Sequence, residues 1–273
     1  MDKIKRAAPI LNSLSECWGV CQFSRISGCL LECRAKQRLP QNAASVIVAL
    51  FPYLTKAPAG NLSRYAAVSD YHTVAGARLK KACEELRREF PEGIFEPFCD
   101  NSPIPEVRAA ALGGLGVVGH NGLLIHEKYG SWTFIGEIVT DLIFPSPEEK
   151  LQTCLDCGAC LKKCPGGALD GGRLAWEKCI SHITQKKGQL AAWEEELIAR
   201  NGLVWGCDTC QNCCPMNARV KISPLPEFSE KIEPSLKMGE IGAWPDRAYL
   251  WRGPKVLERN LKILEKYAPN GDK

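Results

Sequence analysis

The sequence predicts an α/β fold over residues 1–150, a compact cysteine-bound module over 151–222, and a tail at 223–273 holding one helix. Three observations predict it. Short β-rich apolar runs alternate with amphipathic stretches in the first part, eight suitably spaced cysteines fall between Cys154 and Cys214, and the tail carries one apolar stripe at helical spacing.

In chain order, the run 43–51 (AASVIVALF) ends at Pro52 and predicts a buried strand. Leu79, Ala82, Cys83, Leu86 and Phe90 recur at helical spacing among Lys, Arg and Glu, so an amphipathic helix is expected over 74–90, stopped by Pro91. The segment 95–99 predicts a strand that delivers Asp100, and Pro105 starts an Ala-rich helix ending near Leu112. Two further strands, 122–126 and 132–140, are expected to meet through a turn at Tyr129-Gly130. In the tail, Val256, Leu257, Leu261, Leu264 and Tyr267 mark one helix face that packs on the protein or docks a partner.

The module's chemistry is in its spacing. Cys154, Cys157, Cys160 and Cys164-Pro165 read C-x2-C-x2-C-x3-C-P, the run that holds a [4Fe-4S] cluster by three thiolates and lends the fourth to another cluster. Cys207, Cys210 and Cys214-Pro215 form a second motif, with Cys179 between the two. Crosswise sharing assigns Cys154, Cys157, Cys160 and Cys214 to one cluster and Cys164, Cys179, Cys207 and Cys210 to the other, leaving Cys213 over. Tetrahedral zinc is the alternative for paired C-x2-C units, but a four-cysteine run closed by Cys-Pro is an iron–sulfur signature. Such a module should depend on its metal to fold.

Composition bounds the rest. At 273 residues and 45% hydrophobic content the chain can bury a substantial core. No signal peptide and no run of eighteen apolar residues is read in it, so a cytoplasmic protein with no membrane partner is expected. Fifteen cysteines at ligand-like spacings suit a reducing compartment. The formal charge of +4 is brought to about zero by eight cluster thiolates set against two cationic cores, so any nucleic acid would need a local basic patch.

Several patterns have plainer readings. Gly114, Gly116 and Gly119 spell G-x-G-x-x-G, but here a helix precedes and a strand follows, the reverse of a dinucleotide site. Asp70, His72 and Gly76 miss the D-x-H-x-x-G cobalamin pattern by one position. Cys17, Cys21, Cys29 and Cys33 form two C-x3-C pairs, which on helices could serve a third metal or be buried small residues. His120 and His126 read as turn and surface residues, and Asn61-Leu62-Ser63 as a glycosylation acceptor without meaning in the cytoplasm.

The succession YAAVSDYH, DNSPIPEVR, GLGVVGHNGLLI, GSWTFIGEI, CLDCGACLKKCP, CISHIT and GCDTCQNCCPMN, from about Arg38 to Asn217, resembles the epoxyqueuosine reductase family, cobalamin and double-cluster enzymes of tRNA queuosine synthesis. WRGPKVLERN resembles the segment that follows the cluster module there. Val107, then Arg108, stands where the family has arginine after the glutamate, His120 replaces a lysine, and the chain stops at Lys273, before the family's helical-repeat extension.

The resemblance implies an α/β N-terminal cobalamin-binding domain followed by a ferredoxin-like double-cluster module, with two [4Fe-4S] clusters and cobalamin as cofactors. It implies reduction of epoxyqueuosine in tRNA, fed by a low-potential donor such as ferredoxin or flavodoxin. Asp100 would be the acid, its pKa raised by desolvation over the cofactor pocket, or, on the plainer reading, a helix cap. His72 would orient the substrate or relay a proton, and Tyr71, Gly116, Gly119, Ser131 and Trp132 would contact the cofactor. A reductase of a small molecule, akin to reductive dehalogenases, and a ferredoxin-like electron carrier are the other readings.

Overall fold

A computed structural model describes residues 3–148, 150–171 and 173–267. The chain folds as two units whose pieces interleave in sequence. Unit 1 takes Met1–Pro52, Tyr71–Gly119 and Leu123–Leu155, and starts with α1 (Lys3–Leu14). Unit 2 takes Tyr53–Asp70, His120–Gly122 and Asp156–Lys273, and its first piece holds the short helix α2 (Arg64–Ala67). Two segments that precede residue 150 belong to the second unit, and the tail is part of that unit.

In unit 1, β1 (Trp18–Gln22), β2 (Ser45–Pro52) and β3 (Phe95–Cys99) join the later strand β6 in one sheet. Between them in sequence come α3 (Tyr71–Glu89), α4 (Glu106–Leu112) and the two-residue ladder of β4 (Val117–Val118) with β5 (Leu124–Ile125); β6 spans Thr133–Thr140. Sheet order is β1-β2-β6-β3, and every pair is antiparallel, so helices and strands mix without parallel crossover units. All eight residues of β2 are buried, the mark of a strand covered on both faces. Val46, Val48 and Leu50 face the core shared with Ala109, Ala110 and Leu112 of α4, while α3 packs on β3 and β6 and α1 packs on α3. Each fully buried Val, Leu or Phe in this layer contributes about 1.5–3 kcal/mol. Gly136 lets α3 approach β6, since a Cβ there would stand 2.7 Å from Leu79 and 3.0 Å from Phe51.

Three expectations change. The strands at 124–125 and 133–140 are not a hairpin: β5 pairs with β4, and β6 with β2 and β3. Cys21 lies within β1 and Cys17 just before it, not on a helix; both are buried, whereas Cys29 is exposed and Cys33 half-buried. Helix α3 begins at Tyr71, three residues before the apolar periodicity starts, which puts Tyr71 and His72 in its first turn.

Unit 2 is built from short pieces: α5 (Ala159–Lys163), α6 (Ile180–Ile183), α7 (Ala192–Asn201), α8 (Thr209–Asn212), α9 (Pro226–Ser229) and α10 (Pro254–Tyr267). Helix α10 packs on α7 within the unit. Its buried stripe is Val256, Leu257, Leu261 and Ile263, with Leu264 partly covered and Tyr267 exposed, a shift of one face from the expected set. Asn260, fully buried, ties the helix down by donating from Nδ2 to the carbonyls of Thr184 and Val204, each at 2.8 Å. The Asn61-Leu62-Ser63 triplet is likewise structural. Asn61 exchanges side-chain hydrogen bonds with the Leu236 backbone at 2.8 Å in both directions, and Leu62 is buried beside Trp205.

Candidate functional site

Strand β3 ends at Cys99, and the next two residues take left-handed backbone, φ 53° at Asp100 and 31° at Asn101, the conformation that Asp and Asn tolerate best after glycine. That turn swings the Asp100 carboxylate toward the first turn of α3. The Tyr71 hydroxyl donates to Asp100 Oδ2 at 3.0 Å, and His72 Nε2 lies 3.2 Å from the same oxygen. The Tyr71 ring stacks on Phe134 of β6 at 4.3 Å with planes 10° apart, which fixes the hydroxyl. The group opens to solvent, the Asp100 side chain 60% and that of His72 44% exposed.

Asp100 is not a helix cap: the N-cap of α4 is Pro105. Nor is its acidity as expected. The hydrogen bond from His72, helped by the Asn101 backbone and the Tyr71 hydroxyl, outweighs burial and pulls its pKa down to about 2. Asp100 is therefore a carboxylate at neutral pH in the free protein.

The raised carboxyls lie behind it. Glu137, in the middle of β6 opposite Val48 and Phe98, is fully buried on the apolar face shared with α4. Neither carboxyl oxygen makes a hydrogen bond of normal geometry to a described residue, although the Ser102 hydroxyl approaches closely enough to offset a little of the cost. Burial, then the neighbouring charges of Glu106 and Asp100, holds its pKa well above the carboxylate range. Glu106, half-buried in the first turn of α4, is raised by burial and by Asp100 to about 7. Both shifts have the same sign for stability. The folded state keeps protons that the unfolded chain releases above about pH 4.3, so stability is greatest below that pH and falls as pH rises to the folded values. Glu137→Gln, a neutral isostere, should therefore melt higher than the parent at pH 8, by about 2–4 °C per kcal/mol relieved, with the gain vanishing near pH 4.5. Equal melting temperatures at pH 8 in thermal scans would show that Glu137 is ionised without cost.

The remaining cofactor candidates of unit 1 sit near the small ladder. A Cβ on Gly116 (φ 150°) would fall 2.4 Å from the Ile125 carbonyl oxygen, so glycine there serves the packing of the chain on itself. Gly119 N–H closes a turn onto Leu123 O at 2.9 Å, and Ser131 and Trp132 are buried.

In unit 2 the cysteines fall into two groups. Cys207, Cys179 and Cys164 surround Cys210, whose thiol is pushed up to about 12 by burial and then by these neighbours. Cys160, Cys214 and Cys157 surround Cys213. Cys154, at the end of unit 1, donates its backbone N–H to Val118 O at 3.1 Å. Buried thiols crowding one another lack a counter-charge, which an iron–sulfur core supplies, so the donor set fits. Among the described residues no three His, Cys, Asp or Glu side chains converge on one point as ligands of a single ion. A cubane gives each thiolate its own iron and spaces them apart; the Cys17, Cys21, Cys29 and Cys33 pairs likewise form no single-ion site.

Sequence reasoning missed Glu137, Glu106 and Asn121. The Asn121 side chain hydrogen-bonds the Cys210 sulfur, and its neighbour His120, read from sequence as a turn residue, pairs with Asp156 at 2.8 Å in the first cysteine loop. Nothing local in the sequence marks either interaction.

Two family models match the chain: epoxyqueuosine reductase QueG over residues 34–101 and a 4Fe-4S double cluster binding domain over 153–217. Curated epoxyqueuosine reductases are similar in sequence. That of Staphylococcus aureus is 33% identical over 201 residues, covering 70% of this chain and 52% of the relative; that of Escherichia coli is 33% identical, covering 78% and 55%. That of Listeria monocytogenes is 31% identical, covering 82% and 64%. The chain thus spans about half to two thirds of the length of these relatives. In fold it is similar to epoxyqueuosine reductase from Streptococcus thermophilus (TM-score 0.79, 22% identity, 96% of this chain and 80% of that one). It is also similar to an epoxyqueuosine reductase solved with an epoxyqueuosine-modified tRNA-Tyr stem loop (TM-score 0.81, 22% identity, 96% and 80%).

Proposed function

The chain belongs to the epoxyqueuosine reductase family, and on that premise we propose that it reduces epoxyqueuosine to queuosine in tRNA, with two [4Fe-4S] clusters and cobalamin as cofactors. The observation that carries the reading is the meeting of Tyr71, His72 and Asp100 on one oxygen, at a solvent-open point in a chain that also carries the double-cluster motifs.

Opening the epoxide to an alkene consumes two electrons and two protons and releases the oxygen as water. Clusters pass electrons singly, and cobalamin, when bound, supplies the strong reductant at carbon. The flat Tyr71–Phe134 stack beside the carboxylate suits the face of a macrocycle, with Tyr71, Gly119, Ser131 and Trp132 as the residues proposed to hold it. The protein's own task is the protons. Because Asp100 is ionised, the deliverable proton is one that His72 takes up from solvent as an imidazolium paired with that carboxylate, and covering the open pair with substrate strips its water and drives this proton toward the departing oxygen, leaving neutral His72. Glu106, poised near neutrality behind Asp100, provides the second. A low-potential ferredoxin or flavodoxin is the proposed donor. No helix among the described residues is long and apolar enough to cross a membrane. Anaerobic incubation of reconstituted protein with tRNA from cells that accumulate epoxyqueuosine tests the reading; unchanged nucleoside would overturn it.

The exposed lysines of α10 are the residues proposed to meet tRNA phosphates. On α10, Arg259 is tied inward, donating from Nη1 to the carbonyls of Lys186 and Gly188 at 2.7 Å each, and Lys266 pairs with Glu195 at 3.1 Å. Lys255 and Lys262 stay exposed along a groove of about 320 Å³ beside α10. The double change of Lys255 and Lys262 to Ala should lower the log–log salt slope of tRNA binding by roughly one for each phosphate no longer neutralised, while Arg259→Ala should lower the melting temperature instead. An unaltered slope in the double variant moves the phosphate site elsewhere.

A further inference from the structure

The cysteine group of Cys164, Cys179, Cys207 and Cys210 is supplied with hydrogen-bond donors aimed at sulfur. The Ala168 backbone N–H donates to Cys164 Sγ at 3.3 Å. The Thr209 backbone N–H hydrogen-bonds Cys207, whose thiol in turn donates to the Thr209 hydroxyl oxygen at 3.4 Å. The Asn121 side chain reaches Cys210. The donors from Ala168 and Thr209 come from within the loops that carry the cysteines, as any chain wrapped round a cluster provides. Asn121 does not. It belongs to the three-residue piece His120–Gly122, outside both motifs, and is held there almost fully buried, at 9% exposure. Its neighbour His120 is fixed at 2.8 Å to Asp156, so the dipeptide reaches both cysteine groups, Asp156 lying next to Cys157 and Cys210 belonging to the other set.

A buried amide placed against a thiolate has a clear physical consequence. Reducing a [4Fe-4S]2+ core by one electron raises the negative charge on its sulfurs, and a donor fixed there stabilises the reduced form more than the oxidised one. The amide is neutral, so it changes the energy of the electron without adding a charge that must itself be buried. Resting on the two-cluster reading above, we propose that Asn121 is a positioning residue that sets the reduction potential of the cluster held by Cys164, Cys179, Cys207 and Cys210. It makes that cluster easier to hold reduced, a station where an electron from the external low-potential donor waits until the second arrives. The step is one electron in from that donor and one electron out, with no proton moved.

The test is an EPR-monitored redox titration, with dithionite as reductant, of the whole chain reconstituted without oxygen. Asn121→Leu, similar in size with no donor, should keep about eight irons and lower the midpoint of one cluster while leaving the other in place. Asn121→Asp, of the same shape without the N–H, should lower the same midpoint further, and Asn121→His, which restores an N–H, should recover part of it. The Cys179→Ala protein identifies the signal, because the affected cluster is the one missing there. Unshifted midpoints in all three variants, an equal shift of both clusters, or a shift confined to the cluster of Cys154, Cys157, Cys160 and Cys214 would overturn the role of Asn121. Iron analysis of the unmutated protein separates the claims: about eight irons with unshifted midpoints removes Asn121 alone, and about four removes the two-cluster reading with it.

Discussion

The Asp100→Asn protein is expected to keep its iron and cobalamin and to lose turnover by about 10²-fold or more, the scale of removing a positioned proton donor. The substitution is clean for a local reason. Asp100 sits at φ 53°, which asparagine adopts as readily as aspartate, so the turn after β3 should survive, whereas alanine there would be strained. Asparagine can still accept from Tyr71, but it can hold neither the charge that pairs with His72 nor a proton. Single-turnover assay on epoxyqueuosine-containing tRNA, beside a melting curve within about 0.5 kcal/mol of the parent, isolates the chemical role. Turnover within a few-fold of the parent would reduce Asp100 to a turn residue.

Changing Cys179 to Ala should halve the iron, from about eight atoms per chain to about four, and remove one of two cluster signals. Cys179 lies outside both cysteine runs, at the start of α6, yet it is among the thiols that crowd Cys210. Turnover should be abolished with the cluster, because an electron path missing one station is broken. Cys213→Ala should change little, since its sulfur donates to the Cys210 carbonyl at 3.6 Å and the crosswise sharing leaves it no iron. Full iron and both signals in the Cys179→Ala protein would undo the assignment of ligands.

What could be read in advance depended on how local the cause was. The strand 95–99 and the helix ending at Leu112 were found to the residue or nearly so, because an aromatic run stopped by Asp-Asn-Ser-Pro and an Ala-rich stretch after Pro105 each state their structure locally. The cysteine groups were legible because metal ligation imposes spacing. Strand β1 was hidden: Trp18–Gln22 is short, carries a glycine, and owes its conformation to its pairing with β2. TFIGEIVT reads correctly as a strand, but its alternation cannot tell that Glu137 faces the core, since its register is fixed by β2 and β3. The acidity of Asp100 was misjudged for the same reason. Burial was inferable, while the side-chain hydrogen bonds that overrule it come from the first turn of α3, distant in sequence and adjacent only once the chain has folded.

Because the second unit draws on residues 53–70 and 120–122 as well as everything after 156, it cannot assemble in the order the ribosome makes it. Leu62 and Ala66 leave the exit tunnel long before Trp205, Leu236 and Leu257, the side chains they pack with, and the Asn61 clamp waits for Leu236. These are closures over long stretches of chain, which slow folding and leave apolar side chains uncovered in the interval. A nascent chain of this protein therefore carries an unfinished patch through most of its synthesis, and a fragment beginning near residue 151 would lack Leu62 and Ala66, which complete its core.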